Sequence, residues 1–377
     1  MAISRPTVYD VAERAGVSIA TVSFAFRRPE KVRPETRESV LQAAREIGYL
    51  PSGSARNLAR GKTGVLGLHL FDMLLDGRPG GTSPQNPGVG ETRVDLNTLD
   101  LDAAPVPWDE AEDRRLSEPQ TFPLYVDEVQ RGFVLECKRN GRAVLLSNGG
   151  TDLPDVADTA GRVDGLAVLP GRSATASLAS VAANLPVVVL SSEAGEGHRV
   201  LVDNAGGERM LIDHLVDRHG VSSLGWVGAH LSHDYAERMD AFFQIIADRG
   251  EGVTGELFDE VDVEASPDFR TVIDRARAGT LPDALVCASD QVAIALIGVL
   301  RAEGVEAPRD VLIAGFDGIL AARTSTPTLT TIRQPMELMG RVAAHLLLTD
   351  PGDGSTPPRT VRLGVGLQTG QSCGCTS

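Results

Sequence analysis

The rhythm of apolar positions changes once along the chain, near residue 63. Before that point apolar residues recur at helical spacing. Thr7-Val8-Tyr9-Asp10 sets a hydroxyl three residues ahead of a carboxylate, so Thr7 is the expected cap of a helix from about Val8 to Arg14. Gly16 supplies a turn, and Ser18 opens a second helix from Ile19 to about Phe26 with Val22 facing inward. A third helix begins at Pro34, a residue suited to a first turn, carries Val40, Leu41, Ala44 and Ile47 at helical spacing, and stops at Gly48. Three such helices can close a small core. The stretch Ser52 to Lys62 opens with Ser and Gly and is marginal as a helix, because so short a segment seldom holds one alone in water. It reads as a linker.

Beyond Gly64 short apolar runs alternate with longer amphipathic ones. Strands are predicted at Val65 to Leu70, Ala143 to Ser147, Gly165 to Leu169, Val187 to Leu190, Ser223 to Val227, Ala284 to Ala288 and Val311 to Gly315. Between them fall helices at Val126 to Arg139, Ala205 to Arg218, Ala236 to Asp248 and Gln291 to Glu303. This alternation calls for parallel sheets with helices on both faces, and ligands then sit at the carboxyl ends of the strands. Residues 76–121 break the pattern. They are rich in Gly, Pro, Asp and Glu, with ten Asp and Glu against four Arg over 76–120, and read as an exposed acidic insertion. A lid over a cleft and a surface loop fit it equally.

Composition narrows the class. A length of 377 residues predicts two or three domains, and 42% apolar with 23% charged residues is globular usage. Only 4% are aromatic, which shifts core filling onto Ala, Val and Leu. No apolar run approaches the roughly 20 residues of a membrane span, and the N-terminus lacks a secretory apolar core, so the expected location is cytoplasmic. Cys137, Cys287, Cys373 and Cys375 are too sparse for a disulfide framework. Cys373 and Cys375 form a C-x-C with no histidine near it in sequence, so the tail is expected to be inert and no metal site is predicted.

The net charge of -15 hides an asymmetry. Residues 1–62 carry eleven Lys and Arg against six Asp and Glu, a net +5, and the remaining residues carry -20. The basic head is the candidate for phosphate, and an acidic body should resist non-specific adhesion to DNA.

A helix, a short glycine turn and a second helix can present the second helix to a major groove. The residues sharpen this. Val8-Tyr9-Asp10-Val11-Ala12-Glu13-Arg14-Ala15-Gly16-Val17-Ser18-Ile19-Ala20-Thr21-Val22-Ser23 closely resembles the opening of the lactose repressor (LacI/GalR) family, as do Tyr49-Leu50-Pro51 and Ala55-Arg56-Asn57-Leu58. Similar motifs continue at Val202-Asp203-Asn204, Glu237-Arg238-Met239-Asp240-Ala241-Phe242, Ser289-Asp290-Gln291, Gly315-Phe316-Asp317 and Pro327 to Pro335. The resemblance implies an all-α helix-turn-helix head (1–50), a hinge helix (51–62) and an α/β two-lobed, periplasmic-binding-protein-like sensor (63–377). It places about 63–190 and 319–340 in the first lobe, and about 191–316 and 341–377 in the second.

For the head, the resemblance implies DNA contacts from Thr7, Tyr9, Ser18, Ile19, Ala20, Thr21, Ser23, Phe24, Arg27 and Arg56, with Leu58 wedged into the minor groove. Ile19 and Ala20 cannot make bidentate hydrogen bonds and can read only thymine methyls and groove shape. The plainer reading makes Ile19 and Phe24 core of the three-helix bundle. A wedge at Leu58 would unstack a base step at a few kcal/mol, regained through contacts to the bent duplex. For the body, the resemblance implies effector contacts from Tyr125, Arg238, Ser289, Asp317 and Gln334. Arg238 offers a planar five-donor fork, and Asp317 follows an apolar run and so lies at a strand's carboxyl end; such a pair suits sugar hydroxyls. The alternative for it is a structural ion pair across the cleft. Tyr125 has the alternative of capping a helix below the insertion, and Asp290 is expected to cap the helix after it.

No P-loop or H-E-x-x-H occurs and the seven His are scattered, so no catalytic residue and no cofactor is predicted. The expected protein is a transcriptional regulator, a homodimer on a near-palindromic operator in double-stranded DNA. Its effector is expected to be a sugar or sugar derivative, with a nucleoside or another small metabolite as the alternative, and its coupling to DNA can take either sign. A sugar-binding protein with no regulatory role is the other reading, and it has no use for the basic head.

Overall fold

The computed structural model describes residues 7–27, 31–47, 62–71, 124–149, 153–169, 178, 181–230, 232–259, 268–352 and 354–375. The hinge segment 51–61 with Arg56 and Leu58, the insertion 76–121 and the side chain of Arg27 lie outside the described residues. The chain divides into two compact units, 1–64 and 65–377.

The first unit contains α1 (Val8–Ala15), α2 (Ile19–Arg27) and α3 (Pro34–Glu46). The Thr7 backbone N–H and hydroxyl both donate to Asp10 Oδ2, at 2.6 and 2.7 Å, which fixes the start of α1. Gly16 ends the helix at φ 65°, a left-handed geometry that glycine takes without a Cβ clash. Val11, Ala12, Val22, Ala25, Val40, Ala43 and Ala44 form the core. Arg14 pairs with Glu46 at 2.7 Å across the surface.

The second unit contains two six-stranded sheets. The first has the order β11-β5-β4-β3-β1-β2, built from β1 (Val65–Phe71), β2 (Ala143–Gly149), β3 (Leu166–Leu169), β4 (Val187–Leu190), β5 (His198–Val202) and β11 (Thr360–Leu363). All its pairings are parallel. The second has the order β12-β10-β9-β8-β6-β7, from β6 (Ser223–Val227), β7 (Thr254–Asp259), β8 (Ala284–Cys287), β9 (Leu312–Asp317), β10 (Thr330–Arg333) and β12 (Gly366–Gln368). There only β12 runs antiparallel, against β10. β3, β4 and β8 are buried at every position, which is why their sequences are continuous apolar runs.

The helices are α4 (Leu124–Arg139), α5 (Leu153–Ala160), α6 (Asn204–Asp213), α7 (His233–Arg249), α8 (Arg270–Ala278), α9 (Asp290–Ala302), α10 (Leu320–Thr324) and α11 (Met336–Thr349). The expected lobe boundaries need correction. β10 pairs with β9 and so belongs to the second lobe, whereas α11 packs on α4 and β11 pairs with β5, both in the first lobe. The chain therefore crosses between lobes near 203, 335 and 365. Short strands carry no mark of which sheet they will join, and only the pairing reveals it. Among the described residues no helix is long and apolar enough to cross a membrane.

The α4–α11 contact depends on two glycines. A Cβ on Gly132 would lie 1.9 Å from the Glu337 carbonyl oxygen, and one on Gly340 would lie 1.9 Å from that of Val129. Alanine would gain about 1 kcal/mol of helix propensity at either site, but overpacking costs about 1–3 kcal/mol and more where rigid backbone is the obstacle. Overlap wins. Gly132→Ala and Gly340→Ala should each lower the calorimetric melting temperature of the body, by roughly 4–10 °C at the usual conversion for large domains. An unchanged melting temperature would show that the helices separate freely.

The C-terminal cysteines also depart from expectation. Gln371–Cys373 is a 3₁₀ turn, Cys373 is buried, and His214 and His219 stand against it. The tail is thus part of the second lobe, and the histidines missing from its sequence neighbourhood come from the far end of α6.

Candidate functional site

In the head, α2 turns Val22 and Ala25 inward and leaves Ile19, Ala20 and Phe24 exposed, with Ile19 at 41% and Phe24 at 43% of full exposure. The reading of Ile19 and Phe24 as bundle core is thereby overturned. Tyr9 on α1 is exposed as well, at 66%. Thr7 and Ser18 are exposed, and Thr21 and Ser23 are half-buried. Ser18 caps α2, accepting from the Thr21 N–H at 3.1 Å, and its hydroxyl lies 2.9 Å from Thr21 Oγ1. The helix that would enter a groove therefore presents apolar tips ringed by short hydroxyls.

In the body, Arg238 extends from α7 to the carboxyl ends of the second sheet and is 1% exposed. Its Nε donates to Asn204 Oδ1 at 3.0 Å, and its Nη1 donates to the Ala288 carbonyl at 2.7 Å and to Asp317 Oδ1 at 3.2 Å. The guanidinium lies 3.9 Å over the ring of Phe316. Gln334 Nε2 donates to the same Asp317 oxygen at 2.7 Å, while Gln334 Oε1 is buried without a hydrogen-bond partner among the described residues. Burial pushes the Asp317 carboxyl up to about 6, against the opposing pull of Arg238. The structure thus brings Arg238, Asp317 and Gln334 together. Their ion pair forms within the second lobe, between α7 and β9, and not across the cleft.

Tyr125 stands on the first-lobe side. Its hydroxyl lies 2.9 Å from Ser191 Oγ, just past β4, and donates to Met339 Sδ at 3.4 Å. It does not cap α4. Burial raises its pKa, with Asp234 and Asp317 adding to the rise, which places the phenol in the field of the second-lobe charges. Ser289 is not drawn into the cluster by a hydrogen bond: it caps α9, accepting from the Val292 N–H at 3.3 Å. Asp290, expected as that cap, instead accepts from the Ile319 N–H at 2.9 Å and from the Thr331 hydroxyl at 2.5 Å, so it ties the β9–α10 turn and β10 together. Serine precedes it and already satisfies the helix terminus.

Three residues of the site escaped the sequence reading. Asn204 orients the fork and also donates to Asp234 Oδ1 at 3.0 Å and Glu237 Oε2 at 2.7 Å. Asp234 is buried at the start of α7, and burial raises its carboxyl. Glu208 on α6 is fully buried with neither oxygen hydrogen-bonded among the described residues, and burial pushes it up to about 8. Asn204 belongs to the Val202-Asp203-Asn204 motif and could have been found there; nothing in sequence marks Glu208.

Backbone strain converges on the same place. Among the described residues Ser191 (φ 56°) and Asp317 (φ 121°) are the non-glycine positions with positive φ, and both border this cluster. Such conformations cost about 1–3 kcal/mol each and persist where the surroundings over-determine them, as at ligand clamps. Ion pairs join the lobes nearby: Arg333 on β10 grips Glu128 on α4 through both terminal nitrogens, and Arg362 on β11 lies 3.5 Å from Glu237 on α7.

Residues 7–52 match the profile of bacterial regulatory proteins of the lacI family, and residues 212–373 match a periplasmic binding protein-like domain. The HTH-type transcriptional repressor PurR of Actinobacillus pleuropneumoniae serotype 3 (strain JL03) is 26% identical over 351 residues, covering 91% of this chain and 90% of that protein. PurR of Pasteurella multocida (strain Pm70) is also 26% identical, over 90% of each. The Lac repressor dimer bound to operator and the anti-inducer ONPF superposes with a TM-score of 0.72 at 21% identity, over 98% of this chain and 99% of that one. A complex of the transcriptional regulator CelR with cellobiose gives 0.60 at 24% identity, over 98% and 100%. At these identities the two structures speak for the fold alone. The chain thus carries a lacI-family DNA-binding head before a periplasmic-binding-protein-like body, and the relatives it resembles along most of its length are transcriptional repressors.

Proposed function

We propose that the protein is a cytoplasmic repressor that binds a near-palindromic operator as a homodimer and is controlled by a small polyhydroxylated metabolite held at Arg238, Asp317 and Gln334, with Tyr125 on the facing wall. The arrangement of Arg238 carries this reading. Its bonds engage Nε and Nη1, and no described residue takes Nη2, so part of a planar donor fork is left beside a carboxylate at the mouth of parallel strands. A donor fork next to an acceptor matches vicinal hydroxyls. Support for the dimer comes from the Lac repressor, whose structure on operator is a dimer, and from the small footprint of a single head. The exposed face of Ile19, Ala20 and Phe24, with Thr7, Tyr9, Ser18, Thr21 and Ser23, is the proposed reading surface; Arg27 and Arg56 are further proposed DNA contacts, and Leu58 is the proposed wedge.

The polyhydroxylated ligand is a sugar on the first reading. A second reading is a nucleoside, which offers the same pair of hydroxyls on its ribose; the relatives carry the name transcriptional repressor PurR. Operator selection from a random duplex pool, followed by a thermal-shift panel of sugars, nucleosides and free bases, tests both. A palindrome should be enriched, and one hydroxylated compound should raise the melting temperature and change operator affinity at least about tenfold, a typical allosteric coupling. Response to a free base alone would overturn the hydroxyl reading, and failure to enrich any palindrome would overturn the operator reading.

A further inference from the structure

At the end of α6 the helix widens into a π-turn, His214–Arg218. Residues five apart on an α-helix are splayed by roughly 140° at 3.6 residues per turn, whereas the wider i→i+5 ring of a π-turn brings them toward one face. His214 and His219 are such a pair. Their Nε2 atoms lie 3.2 Å apart and their rings meet edge-on with centroids at 4.8 Å. π-turns recur at functional sites.

The C-terminus supplies the other half. After the turn Gln371–Cys373, Gly374 at φ 86° reverses the chain so that both thiols face the imidazoles. Cys373 Sγ lies 3.5 Å from His214 Nε2, and Cys375 Sγ lies 3.6 Å from His214 Nε2 and 3.4 Å from His219 Nε2. All four candidate ligand atoms fall within 4.8 Å of one another. Zn–N bonds of about 2.05 Å and Zn–S bonds of about 2.3 Å in a tetrahedron require edges of roughly 3.4 Å between nitrogens and roughly 3.6 Å between nitrogen and sulfur. The four measured edges match these closely.

The surroundings hold the turn in place. Thr330 donates its hydroxyl to Cys373 Sγ at 2.9 Å, the kind of outer hydrogen bond that supports a ligating thiolate. Ser372 accepts from the Thr330 N–H at 2.9 Å and donates to the Ile313 carbonyl at 2.5 Å. Ile313 and Thr330 stand at the entry ends of β9 and β10, whereas Asp317 and Gln334 lie at and beyond their exit ends, so this cluster is separate from the effector site.

We propose that His214, His219, Cys373 and Cys375 form a closed tetrahedral S₂N₂ site for a borderline-soft divalent cation, zinc by donor set and geometry, that clamps the last turn of the chain onto the second lobe. Four protein ligands leave no open position, so the ion is structural.

Full-length protein, purified in reductant and stripped with chelator, should take up one Co²⁺ per chain with the visible bands of a tetrahedral thiolate–imidazole site, and Zn²⁺ should displace it stoichiometrically. Cys375→Ser and His219→Ala, at positions that are only half-buried, should each weaken Co²⁺ binding at least about 100-fold, and Zn²⁺ should raise the melting temperature of the wild type but not of these variants. Cys137→Ala, in the other lobe, should bind Co²⁺ like the wild type and serves as the control for folding. An octahedral cobalt spectrum, equal titrations of wild type and Cys375→Ser, or a Cys373–Cys375 disulfide whose reduction restores no Co²⁺ uptake would each overturn the site.

Discussion

Arg238→Lys is expected to weaken effector binding by about 100-fold or more while leaving operator binding without effector near the wild-type value. The lysine keeps a positive charge opposite Asp317 and Asp234. It has no plane to lay over Phe316 and cannot reach Asn204, the Ala288 carbonyl and Asp317 together, as the fork does. Hydrogen bonds to a charged group are worth about 1.5–3 kcal/mol each, so losing two toward ligand gives the stated factor. Arg238→Ala is the harsher change. It strips the cation from two buried carboxylates, a loss of about 3–5 kcal/mol for a broken buried pair, and its melting temperature should fall together with its affinity. The head has its own core of Val11, Val22, Val40 and their neighbours, and should keep its fold in both variants. Calorimetry with the compound found by thermal shift, beside anisotropy on the selected operator, separates the effects. Wild-type effector affinity in Arg238→Lys would remove Arg238 from the ligand.

What the sequence disclosed, and what it concealed, follows from how each element is buried. The strands Val187–Leu190 and Ala284–Cys287 are buried throughout and stand out as apolar runs. β7, β11 and β12 are edge strands with mixed exposure, and their polar positions hide them. α11 escapes the apolar pattern although it packs densely on α4: Gly340 in its middle looks like a break, yet a glycine is what the nearby Val129 carbonyl demands. The clustering of Arg238, Asp317 and Gln334 was legible because motif and strand end coincide. The histidines facing the C-terminal cysteines lie more than 150 positions away in sequence, and only the fold joins them.

Glu208 carries the second large effect, and it concerns pH. Burial holds this carboxyl at about 8 in the folded chain, although Arg238 pulls the other way, against an ordinary value of 4.5. Between those two values the native state keeps a proton that the unfolded chain has released. Stability therefore declines as pH rises from about 4.5 through 8, and above 8 the fold contains a buried anion. A tenfold change in proton affinity is worth about 1.4 kcal/mol, so the full decline is of the order of 4–5 kcal/mol. Glu208→Gln removes the titration but adds a second N–H that must also be buried, so the variant should be no more stable than the wild type at pH 6. At pH 9 the order should reverse, with the variant melting higher by several degrees. The ionised carboxylate also acts on Arg238, whose charge it favours, so effector affinity should vary with pH over the same window in the wild type and less in the variant. Melting curves at pH 6, 7, 8 and 9 decide the matter: parallel slopes for the two proteins would mean that Glu208 does not titrate there.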